Sequence, residues 1–171
     1  QQYRVIENRK IDKDAVLFKS VYDLPHELEV MSPVAVPSGF TESYINNPNK
    51  DELVSAIKQS HDQLSNESEC LLIEGTRHAG VGSVLDLSNG DVAHLLGAKV
   101  ILVCLGGIGS SIDELMLNKA CIEQAGAELG GVIINKVLPE KYDKVNDTVR
   151  KGLELKGVNV LGVIPFETTL T

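Results

Sequence analysis

The chain has 171 residues, long enough for one domain with a buried core, and its 43% hydrophobic content includes only 4% aromatic residues and no Trp. That composition favours a core of Val, Ile, Leu and Ala, as in parallel sheets buried beneath helices. A net charge of −8 argues against nucleic acid as a partner, because neutralising phosphates needs a basic face. No apolar run reaches the roughly 18 residues that a membrane helix requires.

In chain order, the first 47 residues are irregular. A short helix is expected over residues 11–22 with Asp12 near its start. A crossing over residues 31–41, rich in Pro, Ser and Val, carries a brief strand at 34–36. The chain opens with Gln1-Gln-Tyr-Arg, without a strand of its own. No Gly-x-x-x-x-Gly-Lys-Ser/Thr phosphate loop occurs in the sequence. Doubly wound nucleotide-binding domains begin with a strand, a phosphate loop and a helix, so that unit is expected to be missing from the N-terminus. The opening residues show no signal-peptide pattern, which gives a cytoplasmic expectation.

From residue 48 on, helical and strand patterns alternate. A helix over 48–64 opens on Asn49 and Glu52, spaced as in a capping box, with Leu53, Ile57 and Leu64 on one face. A buried strand follows at 70–73. Ser88 and Asp91 open a second helix with Val92, Leu95 and Leu96 inward and Gly97 as its stop. The Val-Ile-Leu-Val run of residues 99–104 suits a strand buried on both faces. Ser111 and Glu114 cap a third helix, carrying Leu115 and Ile122 on to Gly126. A strand at 131–135, a helix marked by Tyr142, Val145, Val149 and Leu153, and a strand at 158–164 ended by Pro165 complete the pattern. Such alternation means βαβ units. The expected fold is α/β in three layers, a mostly parallel sheet with helices on both faces, forming one domain.

The stretch Cys70-Leu-Leu-Ile-Glu-Gly-Thr-Arg-His-Ala-Gly-Val-Gly-Ser83 places an acid and then a Gly-rich loop where an open α/β sheet binds ligands. Glu74 can hold a hard cation, which takes oxygen ligands, or be a solvated acid at a strand end. Asp12 and Asp14 can favour a helix dipole, or Asp14 can supply a second acid for the same ion. Gly106-Gly-Ile-Gly-Ser-Ser111 opens a helix, either as an anion-binding nest or as a tight turn. An Asn at a strand end, Asn135, can donate to and accept from an adenine edge or tolerate an irregular turn. His78 in the Gly-rich loop reads as a surface residue, as do His26, His61 and His94, which show no partner pattern. Three cysteines without metal spacing, Cys70, Cys104 and Cys121, read as buried reduced thiols, the first and second within apolar runs.

The order of these pieces resembles the dethiobiotin synthetase-like P-loop family, which includes the synthetase domains of cobyrinic acid a,c-diamide synthases and the N-terminal domain of long phosphotransacetylases. The resemblance runs from Ile11 to Glu167. It is carried by Ile73-Glu-Gly-Thr, by Asp14-Ala15 within Asp-Lys-Asp-Ala-Val-Leu, by Val132-Ile-Ile-Asn135 and by Leu161-Gly-Val-Ile-Pro-Phe166. It departs from the family in lacking the phosphate loop and in having Thr76-Arg77-His78 where the synthetase has Gly-Gly.

The resemblance implies ATP and Mg²⁺ as cofactors, with Asp14 and Glu74 as metal ligands. Asn135, Pro165, Phe166 and Glu167 would hold the nucleoside, and Gly75, Thr76, Gly107 and Ser110 would face the substrate. The activity implied is a ligase that activates a carboxylate or carbamate for amide or ring formation with an amine; a homodimer is the assembly expected. A nucleotide-sensing regulatory domain, or a switch ATPase of the MinD/ParA type, is the alternative.

Overall fold

A computed structural model describes residues 3–6 and 9–170. The chain divides into two compact units, one of Gln1–Thr76 with Gly82–Asp86 and one of Arg77–Val81 with Leu87–Thr171.

In the first unit an antiparallel pair, β1 (Tyr3–Ile6) and β2 (Arg9–Asp12), sets Tyr3 opposite Asp12. The expectation of a chain without an opening strand is therefore corrected, and so is the helix start at residue 11. The two strands, Tyr-Arg-Val-Ile and Arg-Lys-Ile-Asp, are four residues each and carry no period-two contrast that would announce them in the sequence. Helix α1 (Lys13–Tyr22) follows directly, with Asp12 as N-cap, and ends on Asp23 in the left-handed conformation. Short helices α2 (Leu28–Met31) and α3 (Phe40–Asn46) lead to α4 (Lys50–Asn66). Asn49 precedes α4 without capping it; its amide instead donates to Glu52 Oε2 at 2.9 Å. Ala15, Tyr44, Leu53 and Leu85 are buried here, and the Tyr44 hydroxyl donates to the Leu85 carbonyl at 3.1 Å, within the 3-10 turn Ser83–Leu85.

Two expected strands are absent from this unit. Residues 34–36 lie between Pro33 and Pro37, which cannot donate to a ladder. Residues 70–73 form no strand, a bend at Cys70 being followed by irregular chain, and Leu72 is 89% exposed. An apolar run becomes a strand only beside a neighbour that takes its backbone groups, and none does so among the described residues.

The second unit is the α/β body. Helix α5 (Asn89–Leu95) begins with the expected capping box, Ser88 and Asp91 each bonding the other's backbone N–H. Strands β3 (Lys99–Leu105), β4 (Glu128–Val137) and β5 (Val160–Pro165) form a parallel sheet in the order β3-β4-β5. Helices α6 (Gly109–Gln124) and α7 (Tyr142–Glu154) connect them. The sequence therefore yields the expected α/β architecture, a parallel sheet flanked by helices. The core joins Leu115 of α6, Val132, Ile134 and Val137 of β4, Val145, Val149 and Leu153 of α7, and Val158 and Val160. Tyr142, expected on the inward face of α7, packs against that cluster, and its hydroxyl donates to the Val163 carbonyl at 3.2 Å.

Two local expectations fail in this unit. α6 starts at Gly109, and its N-cap, Ile108, offers no side-chain bond, so Ser111 is already inside the helix. β3 is not buried on both faces: among the described residues it pairs with β4 alone, and Ile101, Val103 and Leu105 are 51%, 62% and 63% exposed. Its other face, Leu102 and Cys104, packs on the core. No helix among the described residues is long and apolar enough to cross a membrane.

Candidate functional site

The sequence-derived site residues fall into two groups, one in each unit. Asp14, Glu74, Gly75 and Thr76 belong to the first; Gly107, Ser110, Asn135, Pro165, Phe166 and Glu167 belong to the second.

In the first group Asp14 sits in the first turn of α1, directly after the hairpin. The Asp12 carboxylate accepts the Asp14 N–H at 2.9 Å, satisfying one of the donors a helix start leaves open. Glu74 lies sixty residues on in the sequence, yet its carboxyl is pushed above the ordinary carboxylate range. Partial burial of the carboxyl is the largest cause, followed by the charges of Asp14 and then Asp12. The fold thus brings the acids of two distant segments within electrostatic reach. Like charges gathered this way are stabilised by a cation placed among them, and two carboxylates are a donor set that suits Mg²⁺ when phosphate and water oxygens complete the shell. Among the described residues no group of three or more His, Cys, Asp or Glu side chains could hold a metal ion alone.

The second group lies along the carboxyl edge of the parallel sheet. Gly106 follows β3 and donates its N–H to the Asn135 carbonyl at 2.7 Å, while the Phe166 N–H beyond β5 donates to the Val137 carbonyl at 2.8 Å. These bonds tie the ends of all three strands together. A β-carbon at Gly106 would lie 2.7 Å from Val137 Cγ2 and 2.8 Å from its Cα, so the close approach of β3 to β4 requires glycine there. Gly107 and Ser110 flank the start of α6, whose first N–H groups receive no side-chain cap from Ile108. Asn135 ends the apolar part of β4, and its side-chain oxygen accepts the Lys136 N–H at 2.8 Å. Glu167 Oε1 accepts the backbone N–H and the hydroxyl of Thr169, both at 3.0 Å, which holds its carboxyl below the ordinary range.

Neither Arg77 nor Asn118 of α6 carried a site expectation from the sequence. A cavity of about 260 Å³ is lined by Arg77 and His78, by Cys104 and Leu105 of β3, and by Glu114 and Asn118 of α6. Asn118 fixes the loop above it: its amide oxygen accepts the Ala79 N–H at 2.7 Å, and its amide nitrogen donates to the Glu114 carbonyl at 2.9 Å. Arg77 holds a left-handed backbone, φ 59°, which a side chain makes costly. Asn118, a poor helix former in the middle of α6, was the signal available in the sequence. The cysteine expectation is corrected as well. Cys70 and Cys121 are exposed and only Cys104 is partly buried, with burial raising its thiol pKa. Nor are the three remaining histidines without partners. His26 is half-buried 3.2 Å from Glu67, His61 lies beside Asp62 at 3.4 Å, and His94 Nδ1 is 2.9 Å from the Gly126 carbonyl.

Comparison with known proteins adds relatives to this geometry. A family model described as an AAA domain matches residues 4–171. The chain is 34% identical over 127 residues to a probable cobyric acid synthase of Methanothermobacter thermautotrophicus, covering 71% of the chain and 24% of that protein. A probable cobyric acid synthase of Methanocaldococcus jannaschii is 32% identical over 127 residues, covering 71% of the chain and 25% of that protein. The cobyric acid synthase of Clostridium botulinum is 30% identical over 123 residues, covering 68% and 24% respectively. The chain therefore spans about a quarter of the length of the curated relatives it matches.

Proposed function

We propose, for a chain that belongs to the AAA domain family, an ATP- and Mg²⁺-dependent ligase function in which a carboxylate or carbamate is activated for attack by an amine. The observation that carries this reading is the similarity of the chain to cobyric acid synthases, and the raising of the Glu74 carboxyl by partial burial and by the charge of Asp14 supports both acids as ligands of one ion. The cobyric acid synthase relatives support amide formation as the reaction class.

ATP supplies the phosphoryl group that makes a carboxylate oxygen a leaving group, and Mg²⁺ neutralises phosphate charge as it moves. Asp14 and Glu74 would hold the ion, Asp14 fixed by the Asp12 cap and Glu74 by its place before Gly75. Gly75 has no side chain to keep a phosphate from the backbone, and Thr76 would offer its hydroxyl to the acceptor. Asn135 and the Pro165–Phe166–Glu167 segment would orient the nucleoside, with the Phe166 backbone fixed by its bond to Val137. Gly107 and Ser110 would present the acceptor to the open start of α6. In phosphoryl transfer the protein acts mainly by positioning and by charge neutralisation, and no covalent nucleophile is required of this chain. The acceptor is a small carboxylic acid and the nucleophile ammonia or an amine.

The test is phosphate release by the protein with Mg·ATP and a panel of small carboxylic acids, with and without ammonium. Release that requires both acid and ammonium supports the ligase. Nucleotide binding without any acid-dependent release replaces the ligase with a nucleotide-sensing domain.

A further inference from the structure

The loop of residues 77–81 is held by α5 and α6 within the second unit. The Asn118 amide oxygen accepts the Ala79 N–H at 2.7 Å, and the Asn89 amide donates to the His78 carbonyl at 2.8 Å. Two backbone bonds add to these, from the Asn89 N–H to the Val81 carbonyl at 3.0 Å and from the Gly90 N–H to the Ala79 carbonyl at 3.3 Å. Ala79 is buried in the middle of this set. The loop so anchored keeps Arg77 in the left-handed region, φ 59°, where a β-carbon is costly. Strain that the surroundings enforce in this way gathers at ligand clamps.

The anchored loop presents a charge. Arg77 lines the cavity of about 260 Å³, and its guanidinium makes no ion pair or hydrogen bond among the described residues. Glu114 of α6 lines the same cavity, and its carboxylate is equally without a partner there. Burial is the main cause that raises the Cys104 thiol on the cavity wall, and the Glu114 charge adds to it. A third wall is apolar, made by Leu102, Val103 and Leu105 of β3. The volume falls below the roughly 300–1,000 Å³ of pockets that take drug-sized molecules, so the occupant is small. A guanidinium pairs a carboxylate through two parallel N–H···O bonds. A phosphate or a dicarboxylate would bring further negative charge towards Glu114, whereas an ammonium is attracted to it. An α-amino acid at neutral pH carries carboxylate and ammonium on one carbon. We infer that this cavity binds an α-amino acid with an apolar side chain, its carboxylate on Arg77, its ammonium on Glu114 and its side chain against β3. The site lies beyond the ligase reading and does not depend on it.

The test is titration of the ¹⁵N-labelled protein at neutral pH, without nucleotide, following the Ala79 backbone amide and the Asn118 side-chain amide. The probes are L-leucine, 4-methylpentanoate, which lacks the ammonium, and 3-methylbutylamine, which lacks the carboxylate. Leucine is expected to shift both signals saturably, and the other two to bind at least about tenfold more weakly. Arg77→Gln should weaken leucine at least about tenfold and leave the amine unchanged. Glu114→Gln should weaken leucine as much and leave 4-methylpentanoate unchanged or tighter. Both side chains are exposed, so neither substitution reaches the core, and unshifted signals elsewhere verify the fold. Absence of a saturable shift with leucine overturns the inference, and so does equal binding of leucine and 4-methylpentanoate. Leucine binding that survives Arg77→Gln and Glu114→Gln places the amino acid elsewhere and overturns it as well. None of these results bears on acid-dependent phosphate release, which tests the ligase separately.

Discussion

The Asp12 carboxylate accepts the backbone N–H of Asp14 at 2.9 Å, so the residue that starts α1 also holds the backbone of the acid in its first turn. Asp12→Ala removes this cap and is expected to lower stability by about 1 kcal/mol, whereas Asp12→Asn keeps an acceptor and should cost only about a few tenths. Urea denaturation of the two variants separates these outcomes. Equal losses would mean that the cap contributes nothing.

Glu74 gives a pH-dependent prediction with a definite sign. Its carboxyl is raised in the folded chain by partial burial, by Asp14 and by Asp12. The protonated form is therefore favoured by folding. Its contribution is fully present below the unfolded pKa and is lost as pH rises through the folded one. At neutral pH the ionised group works against the fold. Glu74→Gln should be more stable than the parent at neutral pH, and the gap should close as pH falls through the carboxylate range. A variant less stable than the parent at neutral pH would contradict this.

Core and surface substitutions should part sharply along the same sheet. Leu115 is 1% exposed at the centre of the second unit, and Leu115→Ala should cost about 2–5 kcal/mol. Val103, 62% exposed on β3, should tolerate Val103→Thr within about 0.5 kcal/mol. Thermal unfolding of both checks the assignment of the buried face.

Gly106 is where the end of β3 meets β4. An added β-carbon lies 2.7 Å from Val137 Cγ2, so Gly106→Ala should destabilise by about 1–3 kcal/mol through overpacking. It should also disturb Asn135, whose carbonyl takes the Gly106 N–H. Amide exchange at Gly106 in the variant reports that disturbance, and unchanged stability and exchange would show that the strand ends can spread.

What could be read from the sequence follows the locality of the forces. Val145, Val149 and Leu153 announce α7 because helical burial repeats along a single segment, and all three are buried. Ser88 and Asp91 announce the start of α5 because capping acts across three residues. The run Leu71-Leu-Ile73 carries the same apolar signal as β4 and forms no strand, since pairing depends on a neighbour distant in sequence. The β1–β2 hairpin is not legible in the sequence because its strands are four residues each and mix charged and apolar residues without a period of two. For the candidate site, residue types were legible and constraints were not. Asn135 could be picked out at a strand end, but the commitment of its oxygen to Lys136 depends on a backbone angle. Asp14 and Glu74 could be paired only by resemblance until the fold placed their charges in reach of each other.

The proposed ion site is tested most directly by calorimetric titration of Mg·ATP into the protein and into its Glu74→Gln variant, at neutral pH and fixed salt. If Asp14 and Glu74 share the ion, the variant binds at least about tenfold more weakly, a loss near 1.4 kcal/mol, and removing Mg²⁺ from the titration erases the difference between the two proteins. Identical affinities for parent and variant, in the presence of the ion, would contradict the account.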